Sequence, residues 1–221
     1  MTNTKNTIDI FDRHAQLYQD KYMHLDLYND TYDQFCEHIK KENADILDLA
    51  CGPGNVTRYL LKKRPDFKIL GIDLSMNMIN LAKLNNPTAE FLMMDCRKIG
   101  LSDKKFDGIM CDFCLPYLSK AAAVKLINDA AQLLKPNGVF YLSTMEENED
   151  KKSGLKTSST GDQMYMYYHQ AEYLINALQE NNFKIIDVRH QDYPTQDGTI
   201  TTDLLIIAGK YSQRSVVLKE A

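Results

Sequence analysis

Short apolar runs alternate along most of the chain with stretches in which apolar residues recur every three or four positions. The runs at 45–50, 67–72, 89–94, 106–111 and 139–144 predict buried strands, and the stretches between them predict helices. Two further runs, at 183–190 and 201–209, are joined by a link so short that their strands must be antiparallel. The pattern predicts an α/β fold with a doubly wound, seven-stranded, mostly parallel sheet whose last strand is antiparallel.

Residues 1–44 precede the first of these strands. Apolar and aromatic residues recur at helical spacing from Ile8 to Leu25 and again from Tyr28 to Ile39, which predicts helices that pack outside the sheet. Such helices cover a ligand cleft either as a fixed wall or as a movable lid, and the pattern leaves both open. We therefore expect an N-terminal helical lid or cover at 1–44, a core domain at 45–210 and a C-terminal tail at 211–221.

The core domain is expected to carry an insertion at about 146–168. The first part, 146–162, is polar and has no apolar periodicity, so it predicts an exposed, mobile loop. An aromatic and thioether cluster follows at 163–169. Between the two closing strands, Pro194 and the Asp197-Gly198 pair predict a turn.

The end of the first predicted strand carries the strongest chemical signal. Asp48, Ala50, Gly52 and Gly54 form an acid-x-Ala-x-Gly-x-Gly run across a Gly-Pro-Gly turn that opens a helix. Glycine lets bare backbone approach a ligand and tolerates the dihedral angles of such a turn. The second predicted strand ends in Asp73, where a neighbouring parallel strand would deliver an acid to a ribose diol. We infer a cofactor that contains a nucleoside.

Position 57 distinguishes between the candidate cofactors. A dinucleotide fingerprint requires Gly or Ala three residues after its second glycine, whereas this chain has Thr57. The run at 48–54 instead resembles the first motif of the class I S-adenosylmethionine-dependent methyltransferases, with Ala50 where glycine is more usual. The closing antiparallel strands also resemble the seventh-strand feature of that family. For a Gly-x-Gly taken by itself, a structural turn is the alternative.

The resemblance covers residues 45–210 and implies a site for S-adenosyl-L-methionine. It implies that an acid and its neighbour at the end of the third strand lie beside the adenine amino group, which matches Asp95 followed by Cys96 and Arg97. It also implies that the end of the fourth strand, at 111–118, borders the sulfonium and the methyl acceptor. The cofactor-binding residues expected on this basis, with two tyrosines from the N-terminal helices, are Tyr18, Tyr22, Asp48, Ala50, Cys51, Gly52, Gly54, Asn55, Asp73, Leu74, Met78, Asp95, Cys96, Arg97, Asp112 and Phe113.

The acceptor site is expected between the N-terminal helices and the cluster at 163–169, because both segments reach the carboxyl ends of the strands. Tyr117, Tyr165 and Tyr168 are the expected substrate-binding residues. In-line attack on a sulfonium methyl needs positioning more than covalent help, so a general base is optional. The candidates for that base are His14, His169 and, in the N-terminal segment, His24, although an isolated histidine is more often structural.

The composition of the chain limits the classes of molecule that it is expected to bind. The net charge of −4 gives no basic footprint for nucleic acid, so we expect a small-molecule acceptor. No apolar run reaches membrane-spanning length and the N-terminus lacks a signal-peptide core, so we expect a cytoplasmic protein without membrane contact. The five cysteines suit reduced, buried thiols. Cys111 and Cys114 form a C-x-x-C without a second ligand pair, so we expect no metal.

Two other functions fit the same pattern. One is a module that binds S-adenosylmethionine without turnover, and the other is a nicotinamide-dependent oxidoreductase. A cofactor titration separates the oxidoreductase from the methyltransferase. A screen of methyl acceptors separates the enzyme from the binding module.

Overall fold

The computed structural model describes residues 3–148, 152–158, 160–194 and 200–211. Three helices come first: α1 (Asn3–Arg13), α2 (Ala15–Tyr22) and α3 (Asn29–His38). The core continues with β1 (Asp45–Leu49), α4 (Asn55–Lys63), β2 (Lys68–Asp73), α5 (Met76–Asn85), β3 (Glu90–Met93), β4 (Phe106–Cys111), α6 (Lys120–Leu133) and β5 (Leu134–Met145). It closes with β6 (Gly154–Thr157), β7 (Gln163–Met166), α7 (Ala171–Glu180), β8 (Phe183–Pro194) and β9 (Ile200–Lys210).

Seven strands form one sheet in the order β3-β2-β1-β4-β5-β9-β8. The strands from β3 to β5 in this order run parallel to one another. β9 runs antiparallel to both β5 and β8. The predicted doubly wound sheet with an antiparallel last strand is therefore confirmed. The chain leaves β1 in one direction to form β2 and β3 and returns to the other side to form β4, so a crevice opens beyond the carboxyl ends of β1 and β4.

Buried apolar residues cover both faces of the sheet, as a parallel sheet requires. On one face, Leu126 of α6 and Leu178 of α7 pack against Ile109. On the other face, Phe35 of α3 and Leu60 of α4 pack against Met110. This double layer fixes the strand ends that hold the candidate site.

The N-terminal helices occupy two different places. α1 and α2 contact α5, and α1 also contacts β7, so this pair lies over the crevice. α3 packs on α4 and β5 and belongs to the covering layer of the sheet. Whether α1 and α2 move is not decided by their position, and the lid remains a prediction.

The expectation of a mobile loop at 146–162 is wrong for part of that segment. β6 pairs with β7 in an antiparallel hairpin, with Leu155 opposite Tyr165. The reason is the alternation of β7, whose buried Met164 and Met166 pack on Ile10 of α1 while the intervening residue is half-buried. Apolar partners outside the segment thus stabilise a hairpin that its own polar sequence does not predict.

Other boundaries shift by a few residues. β5 begins at Leu134, before the predicted start at 139, and passes through Asn137 with a φ of 63°. β8 extends to Pro194. The predicted Asp197-Gly198 turn and residues 212–221 of the predicted tail lie outside the described residues. All five cysteines are buried free thiols, and no helix in the described ranges is long and apolar enough to cross a bilayer.

Candidate cofactor and acceptor site

The turn between β1 and α4 holds three residues in the left-handed region. Ala50, Gly52 and Gly54 have φ values of 53°, 53° and 79°. A Cβ on Gly54 would lie 2.3 Å from Asn86 Nδ2 and 3.3 Å from Ala82 Cα, so only glycine fits there. At Gly52 the nearest atom to such a Cβ is Cε1 of Tyr18, at 3.7 Å. The turn therefore presents bare backbone beneath the Tyr18 ring.

Asp48 stabilises this turn from its buried side. It is buried, and the Thr57 hydroxyl donates a 2.6 Å hydrogen bond to its Oδ2. Burial raises the pKa of Asp48 to about 7. Thr57 stands where a dinucleotide site needs a small residue, and here its hydroxyl ties the first turn of α4 to the end of β1.

Asp73 joins the turn to the start of α5. The backbone N–H of Gly52 donates to its Oδ2 at 3.0 Å, and the N–H of Ser75 donates to its Oδ1 at 2.8 Å. Burial raises the pKa of Asp73 although both N–H groups favour the ionised form. The carboxylate is thus fixed in orientation at the end of β2, with further lone pairs available to a diol.

Asp95 and Arg97 form a closed pair at the end of β3. Arg97 Nη2 lies 2.6 Å from Asp95 Oδ2, and the Arg97 backbone N–H donates to Asp95 Oδ1 at 2.9 Å. Burial raises the pKa of Asp95, but the hydrogen bonds from Arg97 outweigh it and leave the pKa below its usual range. The pair holds the loop after β3 against the crevice.

Asp112 and Phe113 end β4 on the other side of the crevice. The Ser143 and Tyr32 hydroxyls donate to Asp112 at 2.7 Å and 3.0 Å. Both partners are neutral, and burial raises the pKa of Asp112 to about 6. Phe113 has a φ of 47°, an uncommon value for a bulky residue, and its ring lies 5.2 Å from the Tyr28 ring. Backbone strain of this kind is concentrated at functional sites.

These strand ends enclose a cavity of about 130 Å³. α1 and α2 form its roof, the β1–α4 turn and β2 form its floor, and the loops after β3 and β4 close its sides. The lining residues are Thr7, Ile8, Phe11, Tyr18, Ala50, Gly52, Asp73, Leu74, Ser75, Met78, Met94, Asp95, Cys96, Arg97, Asp112, Phe113, Cys114, Tyr117 and Leu118.

Comparisons with known proteins identify the family. Residues 46–138 match the family model described as a methyltransferase domain. Over 154 residues the chain is 31% identical to a demethylmenaquinone methyltransferase of Thermotoga maritima, covering 68% of this chain and 66% of that protein. The chain belongs to the class I S-adenosylmethionine-dependent methyltransferases. The resemblance noted in the sequence is confirmed.

Further relatives show how far the likeness extends. The chain is 36% identical over 110 residues to a trans-aconitate 2-methyltransferase of an Enterobacter species, covering 50% of this chain and 42% of the relative. Other relatives are matched over 53% and 36% of their own length, so the chain spans about half the length of the curated relatives it matches. The fold resembles the crystal structure of a 1,6-didemethyltoxoflavin-N1-methyltransferase of Burkholderia thailandensis, with a TM-score of 0.69, 18% identity and coverage of 95% of this chain and 89% of that chain.

The cavity brings together most of the residues that the sequence predicts for the site. Their contacts with a ligand remain a prediction. The predicted residues that line the cavity are Tyr18, Ala50, Gly52, Asp73, Leu74, Met78, Asp95, Cys96, Arg97, Asp112, Phe113 and Tyr117.

Several other predicted cofactor residues pack outside the cavity lining, against the residues that form it. Cys51 packs with Ile79 and Phe91 under the turn, and the Tyr22 ring lies 4.5 Å from the Tyr18 ring. These residues support the lining ones. The predicted cofactor residues outside the lining are Tyr22, Asp48, Cys51, Gly54 and Asn55.

Tyr117 lines the cavity, whereas the other two predicted acceptor tyrosines and the predicted histidines lie outside the lining. Tyr165 and Tyr168 belong to the hairpin segment, where the Tyr165 ring lies 4.7 Å from the Tyr167 ring. His169 is buried, with one ring nitrogen bonded to the Tyr173 hydroxyl and the other 2.9 Å from the Leu115 carbonyl oxygen. Burial lowers the pKa of His169. This arrangement gives His169 a structural contact on each side of its ring.

His14 joins the helical roof to the hairpin instead of facing the cavity. Its Nε2 lies 2.8 Å from Asp162 Oδ2, in the turn between β6 and β7. The structure therefore gives both predicted bases other partners, and a catalytic role for either stays a prediction. His24 likewise is not among the lining residues.

Sequence reasoning missed several lining residues. Phe11 shares the helical spacing of Tyr18, so the same periodicity could have found it. Met94 and Ser75 each lie within two residues of a predicted site acid. Ile8 shares that spacing too, and Cys114 and Leu118 lie in the segment 111–118 that the resemblance places beside the sulfonium. No such signal marks Thr7. Within the described ranges, no group of three or more His, Cys, Asp or Glu side chains is arranged to hold a metal ion.

Proposed function

We propose that the protein binds S-adenosyl-L-methionine in this cavity and transfers its methyl group to a small-molecule nucleophile. The observation that carries the proposal is the convergence of Asp73, the Asp95–Arg97 pair and Asp112 on one cavity beside the left-handed turn. Each acid follows a different strand, as in open α/β sheets that bind ligands beyond the strand ends. The bound cofactor supplies an electrophilic methyl group.

The residues of the cavity suit the chemical groups of this cofactor. Asp73 offers carboxylate oxygens to the ribose hydroxyls, and the loop at Asp95 and Cys96 borders the base. Asp112 is a half-buried carboxylate that accepts hydrogen bonds from the neutral hydroxyl groups of Tyr32 and Ser143. Such a carboxylate favours a nearby positive charge, and S-adenosylmethionine carries two, the sulfonium and the ammonium.

The relatives support a small acceptor. The names of those reported above refer to demethylmenaquinone, trans-aconitate and 1,6-didemethyltoxoflavin, which are all small molecules. In this chain Phe11, Phe113 and Tyr117 line the cavity and offer an apolar, aromatic surface. A partly apolar or aromatic acceptor fits these walls.

The charge of the lining residues further limits the chemical classes of acceptor that fit the cavity. Arg97 is the cation among the described lining residues, and it is paired with Asp95. Asp112, at the acceptor end, adds a negative charge. An acceptor that brings its own carboxylate would therefore meet repulsion, whereas an amine, a phenol or another neutral nucleophile could donate a hydrogen bond to Asp112.

A screen that measures release of S-adenosylhomocysteine tests this function. The panel contains small amines, phenols, thiols and carboxylates, with tyramine and 4-hydroxyphenylacetate as a pair that shares a phenol and differs in side-chain charge. We expect release with neutral or cationic members and none with the carboxylates. The Asp73→Ala variant is the negative control. Binding of S-adenosylmethionine without release across the panel would favour a binding module, and turnover confined to carboxylates would contradict the acceptor assignment.

A further inference from the structure

Two cysteine thiols meet in the wall of the cofactor cavity. The Sγ atoms of Cys96 and Cys114 are 3.5 Å apart, and both residues line the cavity. A disulfide bond is about 2.05 Å long. An approach of about 1.5 Å would therefore convert this thiol contact into a bond.

The two thiols come from loops on opposite sides of the crevice. Cys96 follows Asp95 after β3, and Cys114 follows Phe113 after β4. β3 and β4 are separated in the sheet by β2 and β1. A bond between the two cysteines would fix the two loops to each other across the crevice and displace the neighbouring Asp95 and Phe113 from their present positions.

The surroundings of the pair determine how fast it reacts. A hydrogen bond with Cys114, together with burial, raises the pKa of Cys96. A hydrogen bond with Cys111, together with burial, raises the pKa of Cys114. Only a thiolate attacks a disulfide, so oxidation is slow at neutral pH and accelerates as the pH rises. The cavity is the route by which a small oxidant reaches these buried thiols.

We propose that Cys96 and Cys114 are a redox-sensitive pair, which a small-molecule disulfide oxidises to an intramolecular disulfide that weakens cofactor binding. One thiolate attacks the oxidant, forms a mixed disulfide and releases one small thiol. The second cysteine then attacks the mixed disulfide and releases the other small thiol. Two electrons and two protons pass to the oxidant, and dithiothreitol reverses the reaction. The effect on cofactor binding rests on the proposed function, whereas bond formation does not.

Peptide mapping of the oxidised protein tests the bond. The protein is incubated with 2-hydroxyethyl disulfide at pH 8.5, blocked with N-ethylmaleimide and digested with trypsin without reduction. Cys96 lies in the tryptic peptide Leu84–Arg97, and Cys114 lies with Cys111 in Phe106–Lys120. We expect these two peptides to be joined in wild type and in Cys111→Ser. A Cys111–Cys114 bond, or no cross-link, would overturn the proposal.

Binding measurements test the consequence. Titration with S-adenosylhomocysteine should show affinity at least about tenfold lower after oxidation, with recovery in dithiothreitol. Cys96→Ser and Cys114→Ser should stop at a mixed disulfide under the same treatment, detected as one added hydroxyethylthio group without a cross-link, and Cys36→Ser, which removes a buried thiol on the opposite face of the sheet, should behave as wild type. Unchanged affinity of the cross-linked protein would refute the coupling.

A measurement on wild type alone tests the proposal even if the cysteine variants do not fold. Saturating S-adenosylhomocysteine should slow cross-linking at least about fivefold, because a ligand in the cavity blocks the path to both thiols. Equal rates with and without ligand, in a protein that binds the ligand, would contradict the placement of the pair in the cofactor cavity. A reduced protein that does not bind S-adenosylhomocysteine would instead refute the proposed function.

Discussion

At the scale of single residues, the site depends on carboxylates whose negative charge is only weakly compensated by neutral hydrogen-bond partners. Asp48 and Asp203 are buried and Asp112 is half-buried, and hydroxyl groups of Thr57, Ser143 and Tyr residues are their hydrogen-bond partners. Burial raises the pKa of Asp203 to about 7, as it does for Asp48, and that of Asp112 to about 6. These carboxyl groups are therefore protonated more readily in the folded chain than in water.

The pKa of Asp112 predicts a pH-dependent difference in stability. Its folded value of about 6 exceeds the unfolded value of about 3.9. Between these values the native state binds more protons than the unfolded state, so the free energy of unfolding falls as the pH rises. Asp112→Asn cannot ionise. We expect wild type to lose up to about 3 kcal/mol relative to this variant between pH 4 and pH 8, measured by urea unfolding without ligand.

A constant difference between the two proteins across that range would show that Asp112 is ionised in the apo protein at little cost. Asp103→Asn is the matched control, because it makes the same chemical change at an exposed position. This control variant keeps Asp112, so its loss of stability between pH 4 and pH 8 should resemble that of wild type and not that of Asp112→Asn.

Asp73 gives the sharpest prediction for ligand binding. A hydrogen bond to a charged group contributes about 1.5–3 kcal/mol, so Asp73→Ala should weaken S-adenosylhomocysteine binding roughly tenfold to a hundredfold or more. The variant should also melt at a lower temperature, because the N–H groups of Gly52 and Ser75 lose their acceptor. Calorimetry and thermal melts measure both effects. Unchanged affinity in the folded variant would show that Asp73 serves the turn alone.

At the scale of elements, α1 is held from two sides. Asp12 accepts hydrogen bonds from the Ser75 hydroxyl at 2.7 Å and from the Asn77 N–H at 2.9 Å. On the other side, Asn6 Nδ2 donates to the Gln163 carbonyl of the hairpin at 2.7 Å. The cavity beneath measures about 130 Å³, whereas ligand pockets usually measure about 300–1,000 Å³. We infer that α1 and α2 must shift to admit the cofactor.

Removing one attachment tests this inference. Asp12→Ala should raise the rate of S-adenosylhomocysteine release about tenfold in stopped-flow experiments, because the closed position loses three hydrogen bonds to a charged group. Asp9→Ala is the control, since it removes an exposed acid from the same helix. Equal release rates for both variants and wild type would mean that α1 does not gate the cavity.

Hydrogen exchange offers a view of the same elements without mutation. Addition of S-adenosylhomocysteine should increase protection of residues 3–22 and 160–170 together, because the roof and the hairpin are joined through Asn6, Ile10 and His14. Full protection of residues 3–22 without ligand, with no further change on binding, would make them a fixed wall.

The sequence predicts elements well where each has its own signal. The five parallel strands each end at, or within three residues of, a glycine or an acid. The short link between β8 and β9 permits one orientation. The β6–β7 hairpin has no such signal, because it depends on contacts with Ile10 of α1. Hydrogen-bond partners that lie far apart in the chain also have no signal in the sequence. The Tyr28 hydroxyl donates to Asp203 at 2.6 Å across 175 positions, and only the fold shows the partners of His169.

At the scale of the whole molecule, topology selects the site. The change of direction between β1 and β4 opens the crevice, and the antiparallel β9 brings Asp203 opposite Met145 at the same edge of the sheet. Helices from the N-terminus and a hairpin inserted after β5 then close the crevice from above. We propose that the ends of the sheet strands bind the cofactor and that α1 and α2 supply walls of the acceptor site, with the hairpin packed on α1.

Calorimetric titration of wild type with S-adenosylhomocysteine and, separately, with NAD tests the central claim most directly. The left-handed turn, Thr57 and the antiparallel β9 predict binding of S-adenosylhomocysteine with a stoichiometry of about one and no measurable heat with NAD. Tighter binding of NAD, or S-adenosylhomocysteine binding that persists unchanged in Asp73→Ala, would contradict the account of this cavity.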